Sequence, residues 1–395
     1  LEKFNICNKK TSLKNTHRPV DIKDIMNAKK RIIFDTLFQE QFQLEAKDRK
    51  IKSNTEIKID KLEEYNKFID KLPFELTKDQ AIAMETMCDK MKNRKRINTL
   101  LTADVGAGKT IIAFLLMIIL AENGYQGALM APTSVLAKQH YNELKELLED
   151  TPFKVCFLNG SLKVREKRKI LKGIKNGEYN MVVGTHAVIQ KDVEFNSLGI
   201  AIVDEEHRFG VTQRAALIEK TKDIHYLTMS ATPIPRSLAL TIYGNTIDIL
   251  TIKTMPNGRK PVKTTLINNK NRAYQFMQSE IEKGHQCYFV CPLIEKSDSE
   301  LMANVDAVED IEKEMKSYFK NTPFKISMVT GKMKETDVEQ EINKFKNNET
   351  QIMVATTVIE VGVNIPNATV IVINNAERFG LAQLHQLRGR VGRSN

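Results

Sequence analysis

No apolar run in this 395-residue sequence is long enough to cross a membrane. The longest, Ile111 to Ala121, has eleven residues, against the roughly 18 that a spanning helix needs. No secretory leader precedes the first helical pattern, so the chain is expected to work in the cytoplasm. Cysteine is scarce. The five cysteines (7, 88, 156, 287 and 291) form no C-x-x-C pair and no Cys/His group at zinc spacing. The reading they support is of reduced thiols in or near cores. Repeats at solenoid spacing and low-complexity tracts are also missing. The sequence does not start with methionine but with Leu1, and it is expected to be a piece of a longer one.

What is present is the material of an ordinary globular protein: 42% hydrophobic and 28% charged residues, which excludes disorder as the main state. The length suggests two or three domains. The net charge of +11 fits a polyanionic partner. Residues 1–72 carry 17 Lys/Arg against 12 Asp/Glu, so nearly half the excess lies in the first fifth of the chain. Within that stretch Asp21 can cap a helix, with Asp24 in its first turn. Ile22, Met26, Ile33, Leu37 and Leu44 follow at steps of four and seven, widened by Phe34, Phe38 and Phe42, so one face is expected to pack on a neighbour.

From Pro73 onward, short apolar runs alternate with helical stretches. Strands are expected at 99–102, 127–131, 155–158, 181–184, 200–203 and 226–230, with helices at 110–122 and 135–149 among those between them. Met255-Pro256-Asn257-Gly258-Arg259-Lys260-Pro261 reads as a linker. A second series of strands is expected at 287–291, 325–329, 351–355 and 370–373. The fold class is therefore α/β, with two tandem doubly wound parallel-sheet lobes behind a helical lead-in. The division is 1–72 helical, 73–255 first lobe and 256–395 second lobe.

The strongest local signal is Ala103-Asp104-Val105-Gly106-Ala107-Gly108-Lys109-Thr110. It follows a strand and opens an apolar helix, the context a P-loop requires. Gly106 and Gly108 let backbone N–H groups face phosphate oxygens. Lys109 can reach the β and γ phosphates, and the Thr110 hydroxyl can ligate Mg²⁺. Ala103 stands where the pattern usually has its first glycine.

A second signal, Asp204-Glu205-Glu206-His207, ends the strand at 200–203. An acid at the carboxyl end of a strand beside a P-loop suits Asp204 for Mg²⁺, directly or through water, and Glu205 can polarise the attacking water. His207 is either a satisfied core histidine or a link from hydrolysis to Ser230-Ala231-Thr232. No Asn-Lys-x-Asp motif is present, which argues against a GTPase, and a small-molecule kinase has no need of a second lobe ending in arginines. That cluster, Gln386-Leu387-Arg388-Gly389-Arg390-Val391-Gly392-Arg393, can stabilise charge building on a γ-phosphate. P-loop, Asp-Glu-x-His, Ser-Ala-Thr and arginine cluster, in that order, mark a nucleic-acid motor.

These motifs resemble superfamily 2 helicases and, among them, the RecG family of branched-DNA helicases, from about His17 to Arg393. The more specific segments are 72–80 (Leu-Pro-Phe-Glu-Leu-Thr-Lys-Asp-Gln), 130–133 (Met-Ala-Pro-Thr), 183–190 (Val-Gly-Thr-His-Ala-Val-Ile-Gln), 207–211 (His-Arg-Phe-Gly-Val), 231–236 (Ala-Thr-Pro-Ile-Pro-Arg), 291–295 (Cys-Pro-Leu-Ile-Glu) and 356–363 (Thr-Thr-Val-Ile-Glu-Val-Gly-Val).

The resemblance implies RecA-like lobes and ATP as fuel, with Gln80 on the adenine edge. It implies Pro132, Thr133, Thr185 and His186 along the DNA path of the first lobe, and Thr356 and Thr357 along that of the second, with Gly362 coupling DNA to nucleotide. Arg390 and Arg393 would be arginine fingers and Gln386 would join the γ-phosphate network, while Ser230 and Thr232 would couple hydrolysis to movement. It further implies a monomer in the bacterial cytoplasm or nucleoid that remodels stalled forks and Holliday junctions.

Two alternatives stay open: an Mfd-like double-stranded DNA translocase, and a motor-core fragment that binds ATP and DNA without unwinding. Glu206 and Asn364 depart from the usual glutamine and aspartate. The family's wedge domain precedes the helical linker, and too few residues lie upstream of His17 to form it. The second lobe is expected to lack its last elements.

Overall fold

The alternation after residue 73 folds into two sheets of parallel strands. A computed structural model of the chain describes residues 5–48, 54–209, 213, 224–232, 247–255, 262–292, 298–331, 333–356 and 365–392. By contacts the chain divides into two compact units, Leu1–Ser53 with Ile234–Asp248, and Asn54–Pro233 with Ile249–Asn395.

In the first unit α1 (Lys9–His17) packs on α2 (Ile22–Asp48). Asn8 caps α1 by accepting from the Thr11 N–H, and Asp21 accepts from the Asp24 N–H, both at 2.8 Å. The contact face of α2 is not its apolar stripe. It is centred on Ala28, whose carbonyl accepts from the Ser12 hydroxyl at 3.1 Å, because small residues let the two helices approach closely. Ile22, Met26, Ile33, Leu37, Phe38 and Phe42 are exposed, which corrects the expectation that their face packs on a neighbour. Phe34, Phe38 and Phe42 stack on one another instead, at centroid distances of 5.9 and 6.3 Å.

The second unit begins with a segment that lies on the first lobe. Ile57, Ile59 and Phe68 join the core of that lobe, and α3 (Glu63–Lys71) is capped from a distance. The Glu122 carboxylate accepts from the N–H groups of Glu64 (3.0 Å) and Tyr65 (3.3 Å), satisfying two donors that a helix start leaves free. Next comes α4 (Lys78–Lys92), started by a capping box between Thr77 and Gln80.

The first-lobe strands are β1 (Asn98–Ala103), β2 (Gln126–Met130), β3 (Val155–Leu158), β4 (Met181–Gly184), β5 (Leu198–Asp204), β6 (His225–Ser230) and β7 (Asp248–Ile252). They lie in the order β3-β4-β2-β5-β6-β1-β7, and every pair from β3 to β1 is parallel. β7 has no counterpart among the strands expected from the sequence. The helices between them are α5 (Lys109–Glu122), α6 (Ser134–Leu147) and α7 (Val164–Lys175). All of α5 from Ile111 to Ala121 is buried, so the eleven-residue apolar run is the centre of the lobe. Each large side chain there contributes about 1.5–3 kcal/mol, and Leu116→Ala should cost about 2–5 kcal/mol.

The second lobe runs α8 (Lys270–Glu282), β8 (Gln286–Val290), α9 (Asp298–Tyr318), β9 (Ile326–Val329), α10 (Glu335–Lys346), β10 (Ile352–Ala355), β11 (Ala368–Ile373) and α11 (Leu381–Arg388). Its strands are parallel in the order β11-β8-β10-β9. Alternate residues of β8 serve opposite cores, Tyr288 and Val290 on one face, Cys287 and Phe289 on the other. The expected α/β class with two doubly wound lobes is the observed one. Most of the linker, residues 256–261, lies outside the described residues. The five cysteines are free; burial pushes the Cys88 thiol up to about 11 and Cys156, Cys287 and Cys291 to about 12, which makes those four unreactive. Among the described residues no helix is long and apolar enough to cross a membrane.

Candidate nucleotide and nucleic-acid site

Strand order decides which motifs meet. β5, β6 and β1 are neighbours, with Asp204 opposite Met229 and Ser230 opposite Thr102. The glycine loop after β1, the acids ending β5 and the Ser-Ala-Thr after β6 therefore share one stretch of the sheet's carboxyl edge, where ligands of open α/β sheets bind. β2 and β4 are also neighbours, with Met130 opposite Gly184. That places Pro132 and Thr133 beside Thr185 and His186 on the other half of the same edge.

Gly106 and Gly108 have φ of +82° and +77°, a conformation open to glycine and strained for other residues. Gly108 also occupies the N-cap of α5 with no side chain to satisfy the first turn, which leaves its N–H groups facing outward for an anion. A Cβ on Gly108 would run into Nε2 of Gln80. Gln80 is buried and holds the loop: Nε2 donates to the Ala107 carbonyl at 3.0 Å, and Oε1 accepts from the Thr77 N–H at 2.8 Å. These two bonds use one of the two amide N–H groups and one of the two lone pairs of the Gln80 side chain. Nζ of Lys109 donates to the carbonyls of Ala103 (3.0 Å) and Asp104 (3.4 Å). Burial lowers its pKa, and the charges of Glu205, Asp204 and Asp104 work against that shift.

The two acids differ in environment. Asp204 is buried, and burial alone would raise its pKa. Nε2 of His140, 3.0 Å from Oδ2, together with Lys109 and Arg390 holds the carboxyl below its ordinary value instead. Glu205 has φ of +51°, and its Oε1 accepts from the Ala231 N–H at 3.1 Å. Burial, and then the charge of Asp204, pushes its carboxyl up to about 7, a value suited to a general base near neutral pH. The hydroxyls of Ser230 and Thr232 lie 2.9 Å apart, so the Ser-Ala-Thr segment is tied to itself and, through Ala231, to Glu205.

The second lobe completes the site. Arg390 is buried near enough to Asp204 and Glu205 for each to feel its charge. Burial lowers the guanidinium's pKa, while Tyr288 and the two acids raise it. Gln386 is buried and accepts from Nη2 of Arg208 at 3.4 Å. His385 reaches Oδ1 of Asp104 at 2.8 Å. On the β2–β4 half of the edge, Pro132 and Thr133 are half-buried, Thr185 is buried and His186 is exposed. Thr133 caps α6, accepting from the Leu136 N–H at 3.4 Å. Thr356 is buried just beyond β10, and its hydroxyl has no hydrogen-bond partner among the described residues. Thr357, Gly362 and Arg393, and the side chain of His207, lie outside what is described.

Two residues of the site, His140 and His385, carried no signal that sequence reading used, and Asp104 and Arg208 were read only as members of their motifs, with no role of their own. Each meets its partner across 64 to 281 positions of sequence, which no local pattern records. The site fits a nucleoside triphosphate with Mg²⁺. The glycine cradle is open to phosphate, and one carboxylate (Asp204) with one hydroxyl (Thr110) is the sparse donor set Mg²⁺ uses when phosphates supply the rest. No cluster of three or more His, Cys, Asp or Glu able to hold a metal occurs among the described residues.

Comparison with known proteins agrees with this geometry. The family model "DEAD/DEAH box helicase" matches residues 77–241 and "Helicase conserved C-terminal domain" matches residues 269–395. The chain is 41% identical over 397 positions to the ATP-dependent DNA helicase RecG of Staphylococcus epidermidis, covering 100% of this chain and 57% of that protein. It is 43% identical over 406 positions to RecG of Aquifex aeolicus, covering 100% and 50%. The solved structure of RecG bound to a three-way DNA junction superimposes with a TM-score of 0.80 at 38% identity, covering 100% of this chain and 51% of that one. The chain thus spans about half the length of the relatives it matches.

Proposed function

From the premise that this chain belongs to the RecG family of superfamily 2 helicases, we propose that it is the motor core of an ATP-dependent helicase or translocase acting on branched DNA, such as stalled forks and Holliday junctions, in recombination and repair. The observation that carries the reading is Arg390: a buried arginine of the second lobe lies in the field of Lys109, Asp204 and Glu205 of the first. A nucleotide site built from both lobes makes their closure depend on the nucleotide, as a motor requires.

In this reading residues 73–255 and 256–395 are the two motor lobes and residues 1–72 are the linker that leads into them. Gly106, Gly108, Lys109 and Thr110 hold the phosphates, and Gln80 reads the adenine. Thr110 and Asp204 would hold Mg²⁺, Asp204 directly or through water, and the ion would supply neutralisation of charge on the β and γ phosphates. Glu205, ionised near neutral pH, accepts a proton from the attacking water. Arg390, Arg393 and Gln386 stabilise charge developing on the γ-phosphate. The hydrogen bond from Ala231 to Glu205 lets Ser230 and Thr232 register that event, with His207 and Gly362 as further couplers. Pro132, Thr133, Thr185, His186, Thr356 and Thr357 contact DNA, chiefly its phosphates, so affinity should fall steeply with salt. The protein works as a monomer on DNA in the bacterial cytoplasm.

Because the chain spans about half of its relatives, a second reading is that it binds ATP and DNA without unwinding. Measuring the ATPase rate with and without forked DNA, beside Lys109→Ala, separates the two. Stimulation by the fork that disappears in the variant supports a complete motor core. A flat response with nucleotide binding intact means that coupling requires the rest of the longer protein.

A further inference from the structure

The arginine cluster is not the whole of what the second lobe brings to the first. The last turn of α11 carries His385 and Arg388, and its C-cap is Gly389. Nη2 of Arg388 lies 3.1 Å from Nδ1 of His385, and Nε2 of His385 lies 2.8 Å from Oδ1 of Asp104. A guanidinium only donates, so Nδ1 accepts and the ring proton sits on Nε2, pointing at the carboxylate. The same Oδ1 accepts from the Val105 N–H at 2.7 Å, and the Asp104 carbonyl accepts from the Ala107 N–H (3.1 Å) and from Lys109 Nζ. One directed chain therefore runs from α11 through His385 and Asp104 into the backbone that shapes the phosphate cradle. A second contact follows the same line: the absence of a side chain at Gly389 is what lets the end of α11 lie against Val105, since a Cβ there would collide with that residue.

We propose that His385 is a positioning residue for the nucleotide site: by hydrogen-bonding Asp104 it sets the conformation of the 104–108 loop only when the second lobe is docked, so that the cradle reaches its working shape in the closed arrangement. His385 touches neither the phosphates nor the attacking water. It acts through Asp104, and the geometry gives it a task distinct from that of Arg390, five residues later. The catalytic part of the inference rests on the ATP-hydrolysing reading given above; the loop-shaping part does not.

The test uses the whole chain with two readouts. The first is amide hydrogen exchange over Val105 to Gly108 in the nucleotide-free protein. His385→Ala should raise exchange there about tenfold, the equivalent of one lost hydrogen bond to a charged group, while His385→Gln, which still offers an N–H to Asp104, should restore much of the protection. The second is DNA-stimulated ATPase together with mant-ADP binding. His385→Ala should lower kcat about tenfold with nucleotide affinity within about twofold, and the double variant with Asp104→Ala should fall no further than Asp104→Ala alone. Unchanged exchange over 105–108 in His385→Ala overturns the proposal whatever the ATPase does. Raised exchange in His385→Ala, beside a wild-type chain that hydrolyses no ATP, instead refutes the functional reading and leaves the loop-shaping contact standing. Additive losses in the double variant also overturn it, because His385 would then act by some route other than Asp104.

Discussion

Nε2 of His140 lies 3.0 Å from Oδ2 of Asp204, with both residues buried and Nδ1 of the same ring left without a hydrogen-bond partner among the described residues. The imidazole therefore has one useful orientation, and it spends it on the acid. With Oδ2 engaged, Oδ1 is the oxygen that would face Mg²⁺ or its water in the proposed site. Histidine on α6, an element otherwise devoted to packing, fixes the direction of a carboxylate at the end of β5.

His140→Ala should thus act on both fold and function. Asp204 loses its donor and keeps its burial, so stability should drop by about 1–3 kcal/mol. Loss of a residue that orients a metal-binding carboxylate typically weakens the metal about 10- to 100-fold. The check is Mg²⁺-dependent nucleotide binding against Mg²⁺-independent binding: only the former should weaken. Equal weakening of both would assign His140 to packing alone.

Glu205 predicts an unusual pH dependence. Its carboxyl is raised from 4.5 to about 7, first by burial and then by the charge of Asp204. Below pH 4.5 folded and unfolded chains both hold the proton and the residue is neutral in its effect. Between 4.5 and 7 the unfolded chain ionises while the folded one does not, so stability falls as pH rises, levelling off above 7, with a total on the order of 3 kcal/mol. Glu205→Gln keeps the acceptor for the Ala231 N–H and removes the charge. Its melting temperature should match wild type at pH 4 and exceed it at pH 8, while ATP hydrolysis is lost by 10²-fold or more. A constant difference in melting temperature across that range would mean the carboxyl is not buried as described.

The sequence and the structure agree most where chemistry forces a local pattern. A glycine loop between strand and helix, acids at a strand's end and an apolar run at α5 are each spelled within about ten residues, and each was found where expected. Asp21 at the start of α2 is the same kind of signal. What stayed hidden depends on pairing at long range. β7 is short and only half-buried along most of its length, so it lacks the apolar run that marks the other strands. The stripe on α2 has helical periodicity but stays exposed, because periodicity says that a face is apolar and not what covers it. His140 read alone is a core histidine. Only the strand order, which puts β5 beside β2 and α6 next to it in the chain, brings it to Asp204.

Gly389 has φ of −68°, so its backbone conformation suits any residue and a substitution there tests space alone. A Cβ at this position would collide with Cβ of Val105, an atom that no change of rotamer can move. Relief requires a shift of backbone, either of the α11 C-cap or of the loop that begins at Asp104. Gly389→Ala should therefore cost about 1–3 kcal/mol of stability, as overpacking does, or else separate α11 from the loop at little cost in stability. In both cases Arg390, the next residue, is displaced from the acids, and ATPase should fall at least about tenfold. Melting temperature distinguishes the two routes. Wild-type ATPase with unchanged melting temperature would show that α11 does not lie against Val105 in the working enzyme, and the second lobe would then have to complete the site in another way.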